Sequence, residues 1–312
     1  MKTDDPVILW LSQGDPAVRW QVKRDLLGTS DYELDRQRMV VDGWGRQLLS
    51  YQDPNGMWDG GFYTPKWTST HYTLLLLKRL GLPRDNAQAR KGCHIYLDNG
   101  FMPNGGISFW KSYPQGETCI TGMALGILAY FGCDDERIDK MFHHLASQQM
   151  PDGGWNCQYP EKASHASFHT TLSVLEGLYE YSKRRPDAIK TLQAMRDRAH
   201  EFLLQHRLYQ SHRTGATVDV KMTRLSYPPR WRYYVHTALD YFQKIATRYD
   251  SRLEDAIHLL QSKQKDGKWP LNQYHGGKMW FRLEKVGEPS RMNTLIALRI
   301  LKWWELCRSH SY

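Results

Sequence analysis

Four residues of metal-binding or nucleophilic type stand at one point of a repeated helix start: His71, Cys119, His169 and His236, with Met292 at the fifth copy. Three imidazoles and a thiol, with Glu117 one turn away, suit Zn²⁺ in ligand type. A zinc-bound thiolate or an open coordination position would be the reactive feature. The same residues have two plainer readings, a polar pocket without metal and ordinary helix-start packing. Thr73, Thr121, Thr171 and Thr294 recur two residues later and fit a structural role, bonding backward to helix carbonyls. His165 and Cys157, on the loop before His169, are secondary candidates.

A second set could hold a substrate. The stretch Lys221-Met-Thr-Arg224-Leu-Ser-Tyr227-Pro-Pro-Arg230-Trp231-Arg232-Tyr233-Tyr234 immediately precedes the helix that carries His236. Arginines grip anions bidentately and tyrosines donate to them; the plainer reading is a solvated basic loop. Trp67, Tyr72, Phe109, Trp110, Phe168, Trp231 and Trp280 lie in or beside long loops. Aromatic walls suit an isoprenoid chain or a carbocation. Arg282, Glu284, Lys285, Glu288 and Arg291 form a last polar cluster, which reads as ion pairs within its own loop.

The elements that must position these groups repeat. Gln52-Asp-Pro-Asn-Gly56-Met-Trp58, Gln149-Met-Pro-Asp-Gly153-Gly-Trp155 and Gln264-Lys-Asp-Gly267-Lys-Trp269 share one pattern, with a partial copy at Met102-Pro-Asn-Gly105-Gly-Ile107. A degenerate copy is expected near Arg213-Thr-Gly215. Each cluster is a turn, because glycine takes positive φ and Asn or Asp bonds its own backbone. After each turn comes a helix apolar around most of its circumference: His71–Leu80, Cys119–Leu128, His169–Leu178, His236–Phe242 and Met292–Leu301. Amphipathic helices alternate with them at Ala87–Asn99, Glu136–Gln149, Ala188–His206 and Ser251–Lys263. Strand-like alternation is nearly absent, so the expected class is all-α. One buried and one amphipathic helix per repeat, five to six times, is a helical-hairpin array. The long loops Trp58–Thr70, Gly105–Gly116, Trp155–Phe168 and Trp269–Ser290 favour a closed double ring, an α/α toroid, over an open solenoid. The expected division is one domain over 1–312, with leading helices in 1–40 and the repeat core in 41–305. Trp58, Trp155 and Trp269 are expected to brace neighbouring outer helices.

Composition bounds the rest. Of 312 residues, 41% are hydrophobic and 24% charged, enough for a large core. The longest apolar runs, such as Leu74–Leu77, are far below the roughly 18 residues of a membrane span. The start of the chain lacks a signal-peptide pattern, so a soluble, cytoplasmic protein is expected. The net charge of +9 permits an anionic partner, but no nucleic-acid motif appears and none is expected to bind. Five widely spaced cysteines do not read as a disulfide framework.

The turns resemble the Gln/Trp motif of squalene cyclases, and the loop-then-helix period resembles the β subunits of protein prenyltransferases. Both are α/α toroids, and the resemblance covers residues 40–305. Cyclases that protonate an alkene or epoxide use an Asp-x-Asp-Asp motif, which this chain lacks. Its acidic pairs, Asp4-Asp5 and Asp134-Asp135, lie at the N-terminus and in a turn. In the prenyltransferases zinc is held by an acidic residue, a cysteine two residues on and a histidine about fifty further. Glu117, Cys119 and His169 match that spacing, with Glu for the family's Asp, and the resemblance implies them as catalytic zinc ligands. His71 and His236 are alternative ligands or supports. Lys221, Arg224, Tyr227 and Arg230 match in type the family's diphosphate-binding cluster. Trp67, Tyr72, Phe168 and Trp231 would line a central aromatic cavity. The implied function is a zinc-dependent enzyme acting on an isoprenoid diphosphate or other apolar-tailed anionic substrate. The family also pairs this subunit with a second helical one, which nothing in this chain supplies. Two alternatives stand beside this reading. One is a metal-free cyclase-like or glycan-processing toroid using an acid/base pair such as Glu284 and Tyr227. The other is a non-catalytic ring that binds a lipid or partner.

Overall fold

The computed structural model describes residues 2–110, 115–159, 161–185 and 189–309. Ala188, the expected first residue of an outer helix, and the parts of two long loops at 111–114 and 160 lie outside the described residues. Thirteen α-helices follow one another among the described residues, with no strand between them. They are α1 (Pro6–Ser12), α2 (Pro16–Gln21), α3 (Tyr32–Arg38), α4 (Gly43–Ser50), α5 (Thr70–Leu80), α6 (Ala87–Gly100), α7 (Thr118–Tyr130), α8 (Arg137–Ser147), α9 (Phe168–Ser182), α10 (Ile189–Gln205), α11 (Val235–Lys244), α12 (Glu254–Gln261) and α13 (Arg291–Ser309). A π-helical turn, Val22–Leu27, extends α2.

Local chemistry sets the ends. Asp5 and Asp15 cap α1 and α2, accepting from Val7 N at 2.7 Å and Ala17 N at 2.8 Å, with proline at the first helical position of each. Gly81, at φ 88°, closes α5 in the left-handed conformation. In α7 every residue but Cys119 is buried, as expected of a helix enclosed on most sides.

The apolar helices α5, α7, α9, α11 and α13 form an inner layer, and α4, α6, α8, α10 and α12 flank them outside. The first residues supply a sixth pair, α1 and α2, and α2 closes the ring. Trp20 Nε1 donates to the Leu80 carbonyl of α5 at 2.9 Å. On its other side Arg299 of α13 donates to Gln21 at 2.9 Å and Asp25 at 3.2 Å, and Lys302 to the Asp25 carbonyl at 2.8 Å. The ring is therefore closed with six hairpins, and residues 1–40 are part of it. The inner helices run parallel, so their N-termini meet at one mouth and their C-termini at the other.

The repeated motif works as a clamp. Trp58, Trp155 and Trp269 are fully buried and donate Nε1–H to the carbonyls of Leu48, Leu145 and Leu260 at 2.7–2.8 Å. Their backbone N–H groups donate to Thr70, Thr171 and Thr294, and Ile107 N to Thr121, at 2.9–3.0 Å. Gln52 and Gln149 tie their turns to the next outer helix through Gln88 O and Met195 O, each at 2.8 Å. The recurring threonines are structural, and in the first copy Thr70 takes the place expected of Thr73. Gln210 and Thr217 pair across the turn holding Gly215, the degenerate copy.

Candidate functional site

His71, Cys119, His169, His236 and Met292 each occupy the second residue of an inner helix. Their side chains do not converge. His71 is fully buried, with Nδ1 2.9 Å from the Tyr96 hydroxyl of outer helix α6. His169 accepts from Tyr233 N–H at 2.8 Å through Nδ1, and Trp231 lies edge-on to its ring at 5.3 Å. His236 is buried and neither ring nitrogen makes a well-formed hydrogen bond. Among the described residues no three His, Cys, Asp or Glu side chains stand together as a metal shell. The residues present do not fit zinc, and no chemical step is routed through it here.

Cys119 instead meets Cys157, the loop cysteine. Both are half-buried free thiols. Cys119 donates to Cys157, as does Thr170, which brings the Cys157 thiol down to about 7. The same bond, with burial, holds the Cys119 thiol well above its ordinary range. Glu117 stands within electrostatic reach of both. Burial raises its carboxyl, against a 3.3 Å hydrogen bond from Trp110 Nε1 and the nearby positive charge of Lys66. A low-pKa thiol beside a carboxyl whose pKa burial raises puts a nucleophile next to an acid/base group.

Aromatic rings flank this group. Trp110 lies edge-on to Tyr63 at 5.9 Å. The Lys66 amine sits over Tyr63, Trp67 and Trp231 at 5.3, 5.9 and 6.0 Å, so an exposed lysine occupies an aromatic cup.

The expected central aromatic cavity is not open at this mouth among the described residues. Trp67 packs edge-on to Tyr72 at 4.8 Å and donates to the Gly276 carbonyl at 2.7 Å. Tyr72 donates to the Tyr63 hydroxyl, and Trp280 stacks on Tyr51 at 4.4 Å. Between Trp67, Arg230 and Trp280 remains a crevice of about 10 Å³. The rings fill the channel because they satisfy one another. Phe168 packs on Phe202, His206 and Tyr233, and with His169 it lines a separate, open cleft of about 1120 Å³ against α10 and the loop after it.

The basic stretch divides. Lys221 and Arg224 are exposed, the latter bonded to Gln273. Tyr227 and Arg230 are buried in the channel, where the Tyr227 hydroxyl and Arg230 Nη1 have no hydrogen-bond partner. Glu284 caps α13, accepting from Arg291 N at 2.6 Å, which gives it a structural role. Cys157 and Lys66 are the site residues that spacing undervalued. Only loop geometry, which the repeat period does not carry, brings them to the mouth.

At the opposite mouth charges dominate. Arg79 of α5 grips Glu176 of α9 bidentately at 3.1 and 2.8 Å. Buried Arg299 grips Asp240 of α11 at 2.5 and 2.7 Å, and the Asp240 carboxyl lies well below its usual range despite burial, because Arg299 and Lys244 face it.

No family model matches the chain, and no curated protein does. Among solved structures, a protein from Actinoplanes is 16% identical with a TM-score of 0.45, covering 86% of this chain and 88% of that one. The type II terpene cyclase MstE from Scytonema is 15% identical with a TM-score of 0.37, covering 86% of this chain and 96% of that one. Likeness of this degree carries no argument about activity.

Proposed function

We propose that the protein is a toroid enzyme of apolar-tailed, anionic small molecules, with Cys157 as its nucleophile at the N-terminal mouth. The observation that carries this reading is the Cys119–Cys157 thiol pair beside Glu117 and the Lys66 cup. The Cys157 thiolate attacks an electrophilic carbon, and the leaving group departs with the bonding pair, taking a proton from Glu117. The exposed Trp110 and the half-buried Trp231 offer apolar surface, and Lys66 offers a charge for the anionic head.

Two measurements test it. Alkylation of Cys157, followed by peptide mass spectrometry, is expected to show a midpoint near pH 7. Incubation with geranyl or farnesyl diphosphate, or with apolar-tailed thioesters, is expected to release the leaving group at a rate that falls at least 100-fold in Cys157→Ser. An ordinary thiol midpoint with no release from any of these compounds overturns the reading. Retention of such a ligand without turnover would assign the mouth to binding alone.

A further inference from the structure

The charged mouth opens into a cavity of about 190 Å³, enclosed by the C-terminal ends of the inner helices. At a liquid-water share of about 30 Å³, that is room for about six waters or one small polyanion. Eight side chains around it are Lys or Arg and two are carboxylates. Asp25, Asp240 and Glu33 pair with these cations from behind the wall. Three positive charges remain uncompensated.

The uncompensated charge has an address. The Lys78 amine makes no hydrogen bond or ion pair among the described residues, although its α5 neighbour Arg79 is paired with Glu176. Its amine rests against Gly126 of α7, where a Cβ would come within 3.0 Å of Nζ. Burial brings this amine down to about 8, against the pull of Glu176 and Glu180. Arg79 Nε, also buried, has no acceptor. Arg84, Lys183 and Lys244 lie farther out, each already sharing a carboxylate. A cavity with surplus donors and surplus positive charge is complementary to a multivalent oxyanion.

We propose that this C-terminal mouth binds a phosphate or diphosphate group, with Lys78 and the free Arg79 Nε–H as its innermost contacts. The site is distinct from the thiol mouth and does not depend on Cys157.

The test is calorimetric titration of the full chain with inorganic pyrophosphate at low salt. Saturable binding is expected, weakened at least tenfold in Lys78→Met, which keeps the apolar stem, and weakened in Lys244→Met at the rim. Cys157→Ser is expected to bind as the unaltered chain does, which separates this site from the proposed chemistry. A parallel titration with geranyl diphosphate assigns the source: tighter binding means a phosphate on an apolar tail, equal binding means a free anion. No binding by the unaltered chain, or equal binding by a folded Lys78→Met, overturns the proposal. If Lys78→Met does not fold, undiminished binding by Lys244→Met does the same.

Discussion

A close approach of two inner-helix backbones gives a sharp test of the ring's packing. Helices α7 and α9 touch through Gly122 and Gly177. A Cβ built on Gly177 would stand 2.3 Å from the Gly122 carbonyl oxygen, and one on Gly122 would stand 2.8 Å from Val174 Cα. Gly177→Ala therefore needs α9 to withdraw by about 1 Å, because the atom in the way is backbone and cannot rotate aside. Overpacking of this kind costs about 1–3 kcal/mol, and a rigid carbonyl puts it at the upper end. Alanine in mid-helix returns about 1 kcal/mol. The net is a loss of about 2 kcal/mol, or about 4 °C in Tm for a domain of this size. Gly276→Ala, with nothing within 4 Å of its Cβ, is the control and should leave Tm unchanged. Thermal unfolding by circular dichroism reads both. Cys119 and Thr170 lie in the first turns of α7 and α9, so the same substitution should move the alkylation midpoint of Cys157 upward. A Gly177→Ala protein as stable as the parent would refute the argument that contact between these backbones demands glycine.

The other predictions concern single groups. Trp155→Phe removes the donor to the Leu145 carbonyl and should cost about 1–3 kcal/mol by denaturant titration. Arg299→Met leaves the Asp240 and Asp25 carboxylates to Lys244 and Arg24 alone and should cost about 3 kcal/mol, more than Lys302→Met. Cys119→Ala should raise the Cys157 alkylation midpoint toward the ordinary thiol range, since it removes the largest cause of the depression. Burial holds His236 at about 4 against an ordinary 6.5. The unfolded chain thus takes up that proton first, so the contribution is complete above pH 6.5 and is lost as pH falls toward 4. The loss is on the order of 3 kcal/mol, and His236→Phe should remove that share of the acid lability in urea titrations at pH 7 and 4.5.

What could be read from sequence was whatever the repeat period encodes. The Trp58, Trp155 and Trp269 clamps recur because each hairpin faces the same demand, so the turns, inner helices and outer helices all fell where the pattern put them. The second-residue register of His71, Cys119, His169 and His236 was legible for the same reason. Where each of those side chains points was not, because each meets a loop of its own length and composition. Cys157 reaches Cys119 through one such loop, and Tyr233 reaches His169 through another. Composition likewise showed many aromatic rings but not whether they line a space or fill it, and here Trp67, Tyr72 and Trp280 fill it. Residues 1–40 carry no Gln/Trp motif, so nothing periodic marked α1 and α2 as the last segment of the ring.

That closing segment has a consequence for how the molecule comes into being. In a linear array each new hairpin docks on the one before it, and the first is finished early. Here α2 must hold α5 on one side and α13 on the other, and α13 follows the other helices of the ring in chain order. Until then Gln21 and Asp25 lack Arg299. Ring closure is therefore gated by α13, and a chain truncated before Arg299 should behave as an open, protease-sensitive arc whose two loose edges fail together.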